Sequence, residues 1–215
     1  MHIMHTTSRQ PVSKCIAVRS CSGWSPKDLW EARRLLAKRT KTDSQGMDRL
    51  LQANPKTFKG LHFSSHTPQR LFDAACCQGD LEELRFKWGN YKDLSALENL
   101  HSLKFLLIGS GAGVQDIASI CNIKSLVVLS IENFKRVEDY SPLIALEDLE
   151  QLEIHSNIMG RIAIKDLEFL REMPSLRSFA TGATTFRKKY TEAELKDLFA
   201  SLPKLEYAFV NGKAF

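Results

Sequence analysis

The run Gly109-Ser110-Gly111-Ala112-Gly113 is the first place where this chain could do chemistry. A glycine-rich turn between a strand and a helix can offer backbone N–H groups to a phosphate. A dinucleotide fingerprint would need glycine at position 114, which is Val114, and no Lys-Ser/Thr pair follows to complete a triphosphate-binding loop. The glycines therefore read as a structural turn. Among the six histidines, His62 and His66 stand four apart, but the apolar pattern places His62 on a strand and His66 beyond it, so they do not share a helix face. The sequence has no H-E-x-x-H, no G-x-S-x-G and no CxxC pair, and neither a metal, a cofactor nor catalysis is expected. Five cysteines (Cys15, Cys21, Cys76, Cys77, Cys121) are an odd number in a chain of this length and read as reduced thiols. Cys76 and Cys77 lie among small apolar residues and are expected in a buried turn.

A second chemical possibility is electrostatic. The net charge of +5 divides unevenly: residues 1–57 hold 11 Lys and Arg against 4 Asp and Glu, whereas the remainder holds 19 against 21. Arg33, Arg34, Lys38, Arg39 and Lys41 cluster near the N-terminus, and clustered cations release counterions from nucleic-acid phosphates. The rival reading makes the same residues the solvated face of a capping helix whose other face would be Leu29, Ala32 and Leu36. With no nucleic-acid-binding module in the sequence, the solvated face is the expected reading. Arg187-Lys188-Lys189 is read likewise as a solvated loop.

The elements that would position any site follow from a repeat. Segments 80–90, 102–112, 125–135, 148–158, 175–185 and 204–214 align in one apolar frame: Leu81/Leu84/Phe86, Leu103/Leu106/Ile108, Leu126/Leu129/Ile131, Leu149/Leu152/Ile154, Leu176/Phe179/Thr181 and Leu205/Ala208/Val210. An earlier copy is Phe58/Leu61/Phe63, and successive spacings are 23, 22, 23, 23, 27 and 29 residues. An aspartate stands ten residues before the frame at Asp48, Asp93, Asp116, Asp139 and Asp166. Each frame predicts a short strand with alternate residues turned inward, and each aspartate predicts a cap on a short helix or 3₁₀ turn. Such units bury their apolar faces only by stacking.

These segments resemble leucine-rich repeats, most of all at 139–157 (DYSPLIALEDLEQLEIHSN), which is similar to the bacterial internalin-like type. The resemblance implies an α/β fold: a curved solenoid with parallel strands on the concave face and short helices or 3₁₀ turns on the convex face. Residues 48–215 would form the solenoid, of about six to seven repeats, and residues 1–47 an N-terminal basic capping unit of strand and helix. Asn157 matches the repeat's asparagine and Asn90 comes one place late, while Ser110, Asn133, Ala183 and Gly212 stand at or near such positions, so an asparagine ladder is expected to be partial. Residues 12–19 read as a strand, and Ser25-Pro26-Lys27-Asp28 starts a helix. Near the other end, Thr191 and Glu194 form a capping box for a helix to about Ser201, and Gly212–Phe215 could cover the last strand.

Residues between frame positions face outward. Three rows result: Glu83, Phe105, Val128, Gln151, Ser178, Tyr207; His62, Arg85, Leu107, Ser130, Glu153, Ala180, Phe209; and Ser64, Lys87, Gly109, Glu132, His155, Gly182, Asn211. This face begins basic, becomes apolar, then acidic, and ends aromatic, a mixture typical of protein interfaces. The expected partner-binding residues are Arg85, Lys87, Phe105, Leu107, Val128, Ser130, Glu132, Gln151, Glu153, His155, Tyr207 and Phe209. The resemblance implies a non-enzymatic protein that holds another protein in its concave face, such as an immunity protein that neutralises a toxin domain. The alternatives are a host-directed effector, an adaptor, or an RNA- or anion-binding protein using the basic cap. No apolar run reaches the roughly 18 residues of a membrane span, and the first ten residues lack a secretory signal, which gives a cytoplasmic expectation. Oligomeric state is left open.

Overall fold

A computed structural model describes residues 58–157 and 160–215 and the backbone of Cys15–Ile16. The helix expected from Ser25, the basic cluster at 33–41 and Asp48 lie outside the described residues. The frame residues become the strands β2 (Gly60–Thr67), β3 (Glu83–Gly89), β4 (Phe105–Ile108), β5 (Val128–Glu132), β6 (Gln151–His155), β8 (Ser178–Gly182) and β10 (Tyr207–Val210). These pair in parallel, each with the next. Parallel neighbours need a crossover, and each repeat supplies one through its turn or short helix. Two antiparallel strands close the ladder: β1 (Cys15–Ile16), within the expected strand at 12–19, pairs with β2, and β11 (Lys213–Ala214) pairs with β10. The expected cover at 212–215 is thus a hairpin arm that occupies the exposed edge of β10.

The core runs between the sheet and the layer of turns. Leu84, Leu106, Leu129, Leu152 and Phe179 stack on successive rungs with 0% exposure. Each such side chain contributes about 1.5–3 kcal/mol through burial. Opposite the sheet, 3₁₀ turns form at Ser95–Asn99, Ser141–Ala145 and Glu168–Glu172, and a short helix forms at Ala118–Cys121. The register aspartates explain where these begin. Asp93, Asp116, Asp139 and Asp166 each accept the N–H two residues ahead through Oδ1, at 2.8, 3.1, 2.9 and 3.0 Å, which satisfies a donor that the turn leaves open. The Ser95 N–H and hydroxyl hold the Asp93 carboxyl below the usual carboxylate range, and the Ser141 hydroxyl and N–H do the same for Asp139.

The two longer spacings have a structural cause. They accommodate β7 (Ile162–Ile164) and β9 (Thr184–Phe186), a second, two-stranded parallel sheet. The helix Glu192–Ala200 begins at the anticipated capping box: Thr191 Oγ1 accepts from the Glu194 N–H, and the Glu194 carboxylate accepts from the Thr191 N–H. Four non-glycine residues with positive φ, Ser110, Asn133, Ala183 and Asn211, sit where chains leave strands. Asn211 performs the bridging that the repeat assigns to asparagine. It accepts from Thr184 N–H and Oγ1 and donates to the Thr184 carbonyl, at 3.0–3.1 Å.

Candidate partner-binding face

The strand registers align two of the outward rows across the sheet. One runs Glu83–Phe105–Val128–Gln151–Ser178–Tyr207, and the next His62–Arg85–Leu107–Ser130–Glu153–Ala180–Phe209. Of the third, Glu132, His155 and Gly182 are paired partners on neighbouring strands. The outward positions therefore form continuous rows, with neighbouring strands roughly 4.8 Å apart.

Exposure along the rows is uneven, which corrects the expectation at three positions. Arg85 and Phe105 are 3% exposed and Ser130 is 4% exposed. Arg85 Nε donates to Glu83 Oε1, and its guanidinium lies 4.0 Å above the Phe105 ring. A guanidinium keeps its charge when buried only if it is paired, and here a carboxylate and an aromatic face surround it. Ser130 Oγ donates to Glu153 Oε2 at 2.8 Å. His62, beside Arg85, is also buried. Burial, reinforced by the positive charges of Arg85 and Lys87, lowers its pKa from 6.5 to about 4. The basic start of the face is consequently internal at Arg85 and external only at Lys87, which is exposed.

Leu107, Val128, Glu132, Gln151, Glu153, His155 and Phe209 are half-buried, and Tyr207 is exposed. Tyr207 and Phe209 stand two apart on β10 with parallel rings 6.3 Å between centroids. This arrangement offers a central patch of apolar and acidic groups and an aromatic platform at one end. It can take a partner surface by shape and charge.

Trp88, with His66 beside it, is an accessible residue outside the expected partner-binding set. Strand β2 continues through His66, contrary to the expectation that it ends earlier, because a bulge after Phe63 realigns it with β3 and pairs His66 with Trp88. Trp88 is 46% exposed, with the His66 ring edge-on at 4.9 Å. The alternating stretch from Glu83 through Trp88 was the available signal for a longer strand.

The other chemical candidates resolve into structure. A side chain at Gly109 would place Cβ 2.0 Å from the Lys87 carbonyl oxygen, and one at Gly111 would meet the Phe134 ring at 2.2 Å. The Tyr91 hydroxyl donates to the Gly109 carbonyl. These glycines make room for neighbouring turns. Cys76 is buried as expected, whereas Cys77 is exposed, a correction that follows from its place one residue beyond the helix Gln69–Cys76. Arg187 forms a two-pronged pair with Glu138 and Lys188 pairs with Glu168, so this basic loop is tied to the carboxylates of earlier repeats. Among the described residues no three His, Cys, Asp or Glu side chains group as metal ligands, and no helix is long and apolar enough to cross a membrane.

No protein-family model matches the sequence, and no curated protein matches it. Among solved structures it is similar to a Leptospira interrogans leucine-rich-repeat protein, at 16% identity and a TM-score of 0.50, over 81% of this chain and 50% of that one. The fold is the leucine-rich-repeat solenoid. Two Listeria monocytogenes internalins also match, both at 20% identity and a TM-score of 0.46; one match covers 82% of this chain and 53% of the other, the second 72% and 71%. The chain thus spans about half the length of the Leptospira protein and of the first internalin.

Proposed function

We propose that this leucine-rich-repeat protein is a non-enzymatic module that binds another protein on the outward face of its sheet. The observation that carries the reading is the half-buried patch of Leu107, Val128, Glu132, Gln151 and Glu153 on adjacent rungs, flanked by Tyr207 and Phe209. Side chains in such rows can change without disturbing the inward frame, and apolar groups beside charges suit a partner surface. The narrower role we propose is neutralisation of a toxin domain in the cytoplasm by covering it, a task that needs a complementary surface and no chemistry. An acidic centre favours a partner with a basic, partly apolar contact surface.

The test is capture of candidate toxin domains by the wild-type chain and by a Glu132→Lys, Glu153→Lys double variant. The expected result is salt-sensitive capture by the wild type, lost in the variant while its circular dichroism stays that of the folded chain. Capture that survives both reversals would refute the proposed face. Charge reversal at Arg85 is unsuitable, because it would leave two carboxylates facing one another in a buried site.

A further inference from the structure

The helix Glu192–Ala200, the end of β9 and the last hairpin border an open cavity of about 350 Å³ that none of the candidate partner-binding residues lines. Its walls are apolar: Phe186, Leu195, Val210 and Phe215. Two of them are held by aromatic contacts, Phe186 edge-on to Tyr190 at 5.9 Å and Phe215 against Phe199 at 5.4 Å. Lys188, Lys189 and Lys213, with Tyr190, Glu192 and Asn211, make up the rest of the lining. Lys188 is paired with Glu168 and lies 4.9 Å from the Tyr190 ring centre, and Lys213 is paired with Glu192. Lys189 is exposed and has no ion pair among the described residues.

The lining thus has three cations and one carboxylate, Glu192, around an apolar interior. Glu192 is itself held by Lys213 and Lys196, which bring its pKa down to about 2 and keep it charged. An uncharged apolar ligand would leave Lys189 unused, and a multiply charged anion would strand charge against Phe186 and Phe215. A single carboxylate with an apolar tail satisfies both parts. The volume is near the lower end for small-molecule sites and holds about a dozen groups the size of water at ~30 Å³ each.

We propose that this cavity binds a small monocarboxylic acid bearing one aromatic ring or a short alkyl chain, its tail among Phe186, Leu195 and Phe215 and its carboxylate on Lys189. The site is independent of the partner-binding face. Titration of the full chain with 3-phenylpropionate, followed by amide NMR shifts, tests it. The expected result is saturable shifts confined to the cavity lining, with binding about tenfold weaker for Lys189→Gln, the worth of one charge-assisted hydrogen bond. The uncharged analogue 3-phenylpropanol, applied to the wild type, is expected to lose a similar factor and requires no variant. Equal binding of acid and alcohol, unchanged affinity in Lys189→Gln, shifts scattered over other surface lysines, or no saturation would each overturn the proposal. Lys189 is exposed, so Lys189→Gln is expected to keep the wild-type melting temperature.

Discussion

The two ends of the outward face obey the same alternation and have opposite fates. On β3, the neighbour of β2, Arg85 is sealed between Glu83 and the Phe105 ring, whereas on β10 Tyr207 and Phe209 stack on each other in partial contact with solvent. Arg85 and Phe209 belong to one row. The difference teaches that period two fixes the direction of a side chain, while its exposure depends on what lies beside and above it. A charged residue can therefore become structural at one end of a solenoid, while aromatics remain available for binding at the other.

Breaking the buried pair tests this contrast most severely. Arg85→Ala leaves the Glu83 carboxylate in a buried site and is expected to cost about 3–5 kcal/mol, against less than about 1 kcal/mol for Phe209→Ala. Urea denaturation measures both, and equal costs would erase the distinction between the ends. His62 gives a pH version of the same test. Its folded pKa lies below the unfolded value, so the unfolded chain takes up the proton first as pH falls. Its contribution is complete above pH 6.5 and is lost on going down to about 4, a difference of about 3 kcal/mol at 1.36 kcal/mol per unit. Subtracting the pH profile of His62→Leu from that of the wild type should isolate this loss, and superimposable profiles would show that the histidine is not held neutral.

A milder comparison uses two glycines at the same frame position. Gly109→Ala would drive Cβ into the Lys87 carbonyl and is expected to destabilise by about 1–3 kcal/mol, whereas Gly182→Ala, with nothing within 4 Å, should stay within about 0.5 kcal/mol. Thermal unfolding of the pair distinguishes a crowded rung from an open one. The smallest contrast should come from the caps. Asp116→Ala in a short repeat and Thr191→Ala in a long one are each expected to cost about 1 kcal/mol, since each removes one acceptor from a helix or turn start. A marked inequality would mean that the short and long repeats rely on their caps differently.

Much of this architecture was legible because the solenoid is local. Strand spacing, the 3₁₀ turns, the aspartate caps and the Thr191–Glu194 box each depend on residues within one repeat, and every neighbour repeats the constraint. The rows Glu83–Tyr207 and His62–Phe209 were readable for the same reason, since parallel pairing in register converts sequence offset into spatial neighbourhood. The second sheet β7–β9 was visible only as extra length, because spacing does not say whether inserted residues form a loop or pair with the next insertion.

By itself, then, the sequence determined the repeat, the inward frame and the direction of each outward side chain. The tertiary structure alone decided that Arg85 is a buried ion-pair member, that a bulge in β2 brings His66 to Trp88, and that the last helix and hairpin border an open cavity. The physical reason is that direction follows from backbone period, a local property, whereas exposure, ion pairing and cavity volume depend on atoms from several repeats meeting in space.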